Sequence, residues 1–226
     1  MHIQDLHAHT WYSDCGRDDP RLVIETALQG GIHSLGICDH NYGIGKRKET
    51  YFQELETLSC EFGEKITLLK GIEIATINGL CLLPDEDISH ADFCLVEHLD
   101  HPESCVGADI VSFARRCNTR TGIAHTDLFA MMASLGETPE KFLRHLAQNG
   151  IFWEMNVNFD SIHHYREHDY VKRFCHNAAQ QELVRQSGLQ ISVGFDGHRV
   201  EDYQPQRVID MCRFLSKIGI SQPFEN

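Results

Sequence analysis

Short apolar runs alternate with amphipathic stretches along the chain, and the alternation predicts a repeated strand-then-helix order. The apolar runs at 3–9, 33–38, 66–74, 92–97, 122–124, 151–157 and 189–195 have strand length. Between them, Asp18, Asp19 and Pro20 mark a helix start, with Gly30 and Gly31 as its stop. Further helices are predicted over 47–62 (closed by Gly63), 108–118, 139–148 (closed by Gly150), 171–186 (closed by Gly188) and 205–217. Asn78 and Gly79, inside ATINGLCLL, predict a small hairpin after the third strand. About seven β-then-α units argue for an α/β class, with a parallel sheet and helices outside it. Right-handed crossovers can close such a sheet into a barrel. A doubly wound open sheet is the alternative, but no GxGxxG follows the first strand. The units use nearly all of the 226 residues, so a single domain over 1–226 is expected.

The polar residues fall at the strand ends. The first strand ends in Asp5, His7 and His9, the second in Asp39 and His40, and the third at Glu73. The fourth ends in Glu97 and His98, and the fifth at His125. The sixth carries Glu154 and Asn156, and the seventh ends in Asp196 and His198. In a β/α barrel the C-terminal strand ends and the loops after them build the active site. Residues i and i+2 of a strand share a face, so His7 and His9 point together. Imidazole and carboxylate groups bind zinc and also suit manganese or iron. Buried charges need partners or metals, and a cluster of divalent cations is the simplest compensation for so many carboxylates. A lone HxH, or one His at a strand end, is more often a hydrogen-bonded structural feature. Seven coincident strand ends carry the inference. His33, His90, His145, His163, His164, His168 and His176 have no matching partner in this pattern and read as surface residues.

Composition narrows the partners. A hydrophobic content of 42% supports a real core, and 33 acidic against 20 basic residues give a net charge of −13. That balance disfavours a polyanion such as nucleic acid. Nine Cys without a CxxC pair support neither a zinc ribbon nor a dithiol. They read as reduced core residues in a reducing compartment. The N-terminal MHIQDLHAHT lacks the basic-then-apolar order of a signal peptide. No apolar run approaches the ~18 residues of a membrane span. A cytoplasmic location, with no membrane partner, is the expectation; the oligomeric state is left open.

DLHAHTWYSDCG, CDHN, GIEI, VEHLD, GIAHTD, WEMN and GFDGH, in that order from residue 5 to residue 198, resemble the PHP (polymerase and histidinol phosphatase) superfamily. The resemblance implies a distorted seven-stranded (β/α)7 TIM-like barrel, with a trinuclear metal site at the strand C-terminal ends. It also implies metal-dependent hydrolysis of phosphate esters. Carried over residue by residue, His7 and His9 resemble the first metal's ligands. Asp14 resembles the family's third position, which is His in some members. His40, Glu73 as bridging carboxylate, His98, His125, Asp196 and His198 match the rest, with His101 competing with His98. Glu154 and Asn156 resemble residues just outside the metals. Three divalent transition-metal ions are implied, zinc first, with manganese or iron as alternatives. Phe195 and Gly197 depart from the small residues that relatives often show around the Asp, which bears on pocket shape.

The expected reaction is hydrolysis of a small phosphate monoester, histidinol-phosphatase-like, by a metal-bridging hydroxide. His198 or Asp39 is placed to shuttle a proton. Arg17 and Arg199 are the best-placed cations for the substrate phosphate, ahead of Lys46 and Arg47. The alternatives are a phosphodiesterase or exonuclease on nucleic acid, a protein tyrosine phosphatase, and a metal-stabilised interaction module without activity.

Overall fold

In the computed structural model, which describes residues 1–83, 86–107 and 109–225, the polar strand ends stand on two parallel sheets. The first sheet has the order β1 (Gln4–Ala8), β2 (Ser34–Ile37), β3 (Thr67–Lys70). The second runs β4 (Glu73–Ala75), β5 (Phe93–Glu97), β6 (Arg120–Ile123), β7 (Phe152–Asn156), β8 (Ile191–Gly194). The helices are α1 (Pro20–Gln29), α2 (Asn41–Ile44), α3 (Lys48–Phe62), α4 (Ile110–Cys117), α5 (Leu128–Leu135), α6 (Pro139–Gln148), α7 (Asp169–His176), α8 (Ala178–Ser187) and α9 (Pro205–Lys217). Asp19 caps α1 through the Arg21 N–H, with Pro20 in the first turn.

The expected third strand is split in two because its partner changes. Gly71 donates to the Ile37 carbonyl (2.7 Å) and Glu73 to the Asp39 carbonyl (2.9 Å), while Ile72 accepts from Leu95 (3.0 Å). Thus β3 lies on β2, and β4 lies on β5. At the other junction Ala8 pairs with Gly197, His9 donates to the Gly197 carbonyl (2.8 Å), and Asp196 donates to the His7 carbonyl (2.7 Å). Backbone hydrogen bonds therefore join the two sheets at both ends.

Within β1 the pairing slips by one residue: Asp5 is opposite Leu35, but Ala8 is opposite Ile37. Such an irregularity re-aims side chains. Leu6 joins an apolar cluster with Cys38, Phe93, Leu95, Ala124 and Phe152, while the adjacent His7 joins the polar cluster. Each member of the apolar cluster except Phe93 precedes a polar strand-end residue by one or two positions, so the cluster is a floor for the site. Its rings fit because neighbouring positions lack side chains. A Cβ on Gly71 would stand 2.6 Å from Phe93 Cζ, and one on Gly122 would stand 2.2 Å from Phe152 Cε2. Phe224 packs its ring against both Phe93 and Phe152. A larger core lies between the strands and helices, with Ile24, Leu55, Ile123, Leu143 and Val193 fully buried.

Three local expectations change. Asn78 and Gly79 do turn, but no hairpin follows: Ile77 pairs antiparallel with Ser104 in the loop after β5. The helix expected over 171–186 is two, because Asn177 turns out of helical geometry and its side chain caps α8 at the Gln180 N–H. α5 was not foreseen; Asp127 caps it at the Ala130 N–H. All nine cysteines are free, but only Cys38, Cys94, Cys117 and Cys212 are buried, whereas Cys60 and Cys105 are exposed. Among the described residues no helix is long and apolar enough to cross a membrane.

Candidate metal centre

The strand ends deliver their side chains through unusual backbone geometry. His98 (φ 62°), His125 (φ 49°) and Asp196 (φ 57°) lie in the left-handed region, which is uncommon for residues with a Cβ and concentrates at functional sites. The chain turns there as each strand stops.

Glu73 and Asp196, both buried, form the centre. The Glu73 carboxylate lies 3.3 Å from His7 Nε2, 3.4 Å from His9 Nε2, 3.0 Å from His40 Nδ1 and 3.6 Å from His125 Nε2. Asp196 lies 3.1 Å from His9 Nε2 and 3.3 Å from His125 Nε2. Glu97 approaches His40 Nδ1 at 3.3 Å. His7 Nε2 and His9 Nε2 are 3.2 Å apart.

Three imidazoles have one nitrogen engaged by the protein, leaving the other to point inward. His7 Nδ1 meets Glu154 Oε1 at 2.7 Å, His9 Nδ1 meets Ser13 Oγ at 3.2 Å, and His198 Nδ1 meets the Asp196 carbonyl at 2.8 Å. Such outer contacts fix the tautomer of a metal-ligating histidine. At the same centre His40 Nδ1, both Glu73 oxygens, Glu97 Oε1, His125 Nε2 and Asp160 Oδ2 are buried without a hydrogen-bond partner. Unpaired buried polar atoms are costly and call for an ion or water. Imidazole nitrogens, carboxylates and a thiol, grouped as His7–His9–Glu73, His7–His125–Asp196, His40–Glu73–Glu97, His9–Cys15–His198 and Asp160–His163–His198, suit divalent transition metals. The residues fit the metals that the sequence resemblance implies.

The electrostatics are those of charges forced together. Burial opposes protonation of His7, yet Glu73, Glu154 and Asp196 outweigh it and hold its pKa well above the ordinary value. Burial likewise works against His198, but Asp196 and Asp160 raise it to about 10. His9, more isolated by burial and beside His198, falls to about 3. Burial would raise Glu73 and Asp196, but His7 with His40 in one case, and His7 with His125 in the other, keep both well below the carboxylate range. Burial opposes the Cys15 thiolate, and contacts with His198 and His40 still lower the thiol to about 7.

Of the expected site residues, the structure brings together His7, His9, His40, Glu73, His125, Asp196 and His198. It leaves Asp14 exposed and places Cys15 in the cluster. The His98 side chain is 43% exposed and meets the Glu97 carboxylate at 3.0 Å, and Glu97 is the residue that joins His40 and Glu73 in a ligand group. Strand parity carried that signal, because Leu95 and Glu97 share a face. His101 is exposed. Asp39 is buried, but its carboxylate faces the loop after β1: it accepts from Thr10 N (2.8 Å), Thr10 Oγ1 (2.6 Å) and Ser13 Oγ (2.6 Å). Burial pushes its pKa up to about 6.

Among the described residues neither expected arginine forms an ion pair with a carboxylate of the cluster. Arg17 is exposed, and Arg199 lines a small cavity with His9, Gly197, Val23 and Ala27 and lies 3.7 Å from Glu201. Lys46 is exposed, and Arg47 donates to the Tyr12 and Gly43 carbonyls. Two histidines read as surface residues belong to the site. His163 Nδ1 bonds Asp160 at 2.8 Å and its Nε2 lies 3.5 Å from Asp196; the His168 ring lies 5.6 Å from that of His125. The signal for the first was Asp160 three residues before His163, in the loop four residues past the end of β7.

No protein-family profile matches the chain. An uncharacterized protein of Methanocaldococcus jannaschii is 33% identical over 96 residues, 37% of this chain and 52% of that protein, so the match spans about half of the relative's length. The histidinol phosphate phosphatase of Lactococcus lactis, solved with zinc, L-histidinol and phosphate, superposes with a TM-score of 0.66 at 16% identity. That match covers 97% of this chain and 95% of the phosphatase. A structure from the pair YwqE of Bacillus subtilis and CpsB of Streptococcus pneumoniae, metal-dependent tyrosine phosphatases, gives 0.55 at 16% identity, covering 96% of this chain and 88% of that one. The fold of this chain is the one these phosphatases share, a mixed α/β fold on parallel sheets.

Proposed function

We propose that this chain is a metal-dependent phosphoesterase of the PHP superfamily that hydrolyses a small phosphate monoester. One observation carries the reading: the His- and carboxylate-lined strand ends converge on a buried centre where His40 Nδ1, both Glu73 oxygens, Glu97 Oε1 and His125 Nε2 lack hydrogen-bond partners. The fold relatives, solved as phosphatases, add support. We read the two sheets as one ring of seven positions, with β3 and β4 sharing a position, and the chain as one domain over 1–226. The backbone bonds at both sheet junctions support the ring.

His7, His9, His40, Glu73, Glu97, His125, Asp196 and His198 would hold up to three ions, zinc first. Bound metals supply Lewis-acid polarisation of phosphoryl oxygens and lower the pKa of water. The chain does the rest. Glu154, Ser13 and the Asp196 carbonyl each fix one imidazole so that its free nitrogen faces the centre. Asp39 anchors the loop after β1 rather than moving a proton. His163, 29% exposed and held at Nδ1 by Asp160, carries a proton at the mouth for the departing oxygen. The half-exposed Tyr42 ring lies stacked on His40, with ring centroids 4.8 Å apart, and offers an organic substrate a flat contact.

The test is metal reconstitution followed by a panel of phosphate esters. Monoester hydrolysis is expected with zinc or manganese, lost in the His7→Ala/His9→Ala double variant, with negligible cleavage of DNA or RNA. Near wild-type turnover in the double variant at saturating metal would overturn the site. Faster degradation of single-stranded DNA than of any monoester would make the phosphodiesterase reading the better one.

A further inference from the structure

We propose that Cys15 is a thiolate ligand of the metal centre, completing with His9 and His198 a site of two imidazoles and one sulfur. The inference deepens the proposed metal-dependent reading and rests on it. One ligand atom from each of the three residues lies within 4.8 Å of the others. His9 and His198 are nearly inaccessible, at 1% and 5% exposure, and their rings stack with centroids 4.5 Å apart. Among the described residues, Cys15 alone of the nine cysteines belongs to such a group.

The loop that carries Cys15 is built to hold it there. Asp39 accepts three hydrogen bonds from Thr10 and Ser13 and so fixes the segment before it. After it, a Cβ on Gly16 would stand 2.2 Å from the Thr10 carbonyl oxygen, so the backbone can fold this tightly only with glycine. The Arg17 N–H then donates to the His198 carbonyl (3.1 Å), and Trp11 donates to the Asp18 carbonyl (3.0 Å). The turn is tied both to itself and to the strand end that carries His198.

A second observation points to an ion rather than a packing contact. His198 Nδ1 is spoken for by the Asp196 carbonyl, which leaves Nε2 to coordinate. On the His9 side, the fully buried Glu73 keeps Oε2 without a hydrogen-bond partner, 3.4 Å from His9 Nε2. On ligation the thiol gives up its proton to solvent and the sulfur lone pair forms the bond to the metal. A soft sulfur donor favours zinc or cobalt over manganese at this position.

The experiment is a cobalt(II) titration of the metal-free chain, followed by absorption. The expected result is visible cobalt bands together with a near-ultraviolet sulfur-to-cobalt charge-transfer band. In Cys15→Ser the near-ultraviolet band is lost while visible bands remain. Visible bands without charge transfer in the wild type would overturn the Cys15 assignment and leave the metal centre standing. A charge-transfer band that persists in Cys15→Ser would assign it to another cysteine and overturn the proposal too. Failure of the wild type to bind cobalt would overturn both this inference and the metal reading beneath it. Because the variant can fail to fold, alkylation of the wild type gives a second reading by peptide mass analysis. Zinc is expected to protect Cys15 while Cys60 and Cys105 stay reactive; equal labelling of Cys15 with and without bound zinc would refute the ligand.

Discussion

Glu154→Gln isolates the support of one ligand from the ligand itself. The Glu154 carboxylate satisfies three donors at once. Oε1 accepts from His7 Nδ1 (2.7 Å), and Oε2 accepts from the His125 N–H (3.3 Å) and Asn156 Nδ2 (3.4 Å). Glutamine keeps the shape but offers one oxygen and one NH2. Turned one way, the amide sets its N–H bonds against His125 N and Asn156 Nδ2; turned the other, against His7 Nδ1–H. Either choice leaves a buried donor without an acceptor, at a cost of about 1–3 kcal/mol. Loss of the charge also weakens the hold on the His7 tautomer, and substitution of such outer partners typically costs about 10–100-fold in metal affinity. The assay is competition for zinc with a chelator of known affinity, with circular dichroism to verify folding. We expect a 10–100-fold loss in affinity with the fold intact. Affinity within twofold of wild type would refute the claim that Glu154 orients His7 for metal.

Gly194→Ala would place a Cβ 2.2 Å from Glu154 Oε1 and 2.6 Å from His7 Cβ, so it should displace that pair and lower metal stoichiometry measured by elemental analysis; unchanged stoichiometry would refute the close approach. Phe93→Ala should destabilise by about 3–5 kcal/mol in urea unfolding, because the ring is fully buried and fills space left by Gly36 and Gly71; a loss under 1 kcal/mol would mean the floor collapses freely. Burial raises the Asp5 pKa to about 6, so its contribution to stability is complete below about pH 4 and is lost as pH rises through 6. Asp5→Asn should therefore gain about 2–3 kcal/mol over wild type at pH 7.5 relative to pH 4, measured on metal-free protein. A difference that does not vary with pH would contradict it.

The strand ends were the most legible part of the molecule, because the barrel-type rule that polar residues gather at C-terminal ends acts through sequence position alone. Seven of the expected ligands meet in space for that reason. What the pattern could not carry was the course of the chain after each strand. Whether Asp14 or Cys15 turns inward depends on the tight passage of Gly16 over Thr10, which no periodicity encodes. His163 and His168 lie on the long segment between β7 and α7 or at its edge, where only the folded path brings them back over Asp196 and His125. The arginines share the difficulty: adjacency to Asp14 or His198 in sequence does not say which way Arg17 or Arg199 turns. The broken third strand was foreseen as one because its residues form a continuous apolar run, and a change of partner leaves no trace in hydropathy.

His7, His9, Glu73 and His198 each belong to more than one of the ligand groups at the centre. Ions that share ligands cannot be loaded independently. On the proposed reading, the first to bind would neutralise part of the buried negative charge that attracts its neighbour, and two cations on a common ligand would repel each other, so each later ion would bind more weakly. Occupancy would then rise in stages with free metal, and partly filled protein would persist over a wide range of supply. A chain built this way would answer to availability of the ion gradually, with the most weakly held position deciding how much of the protein is competent at all.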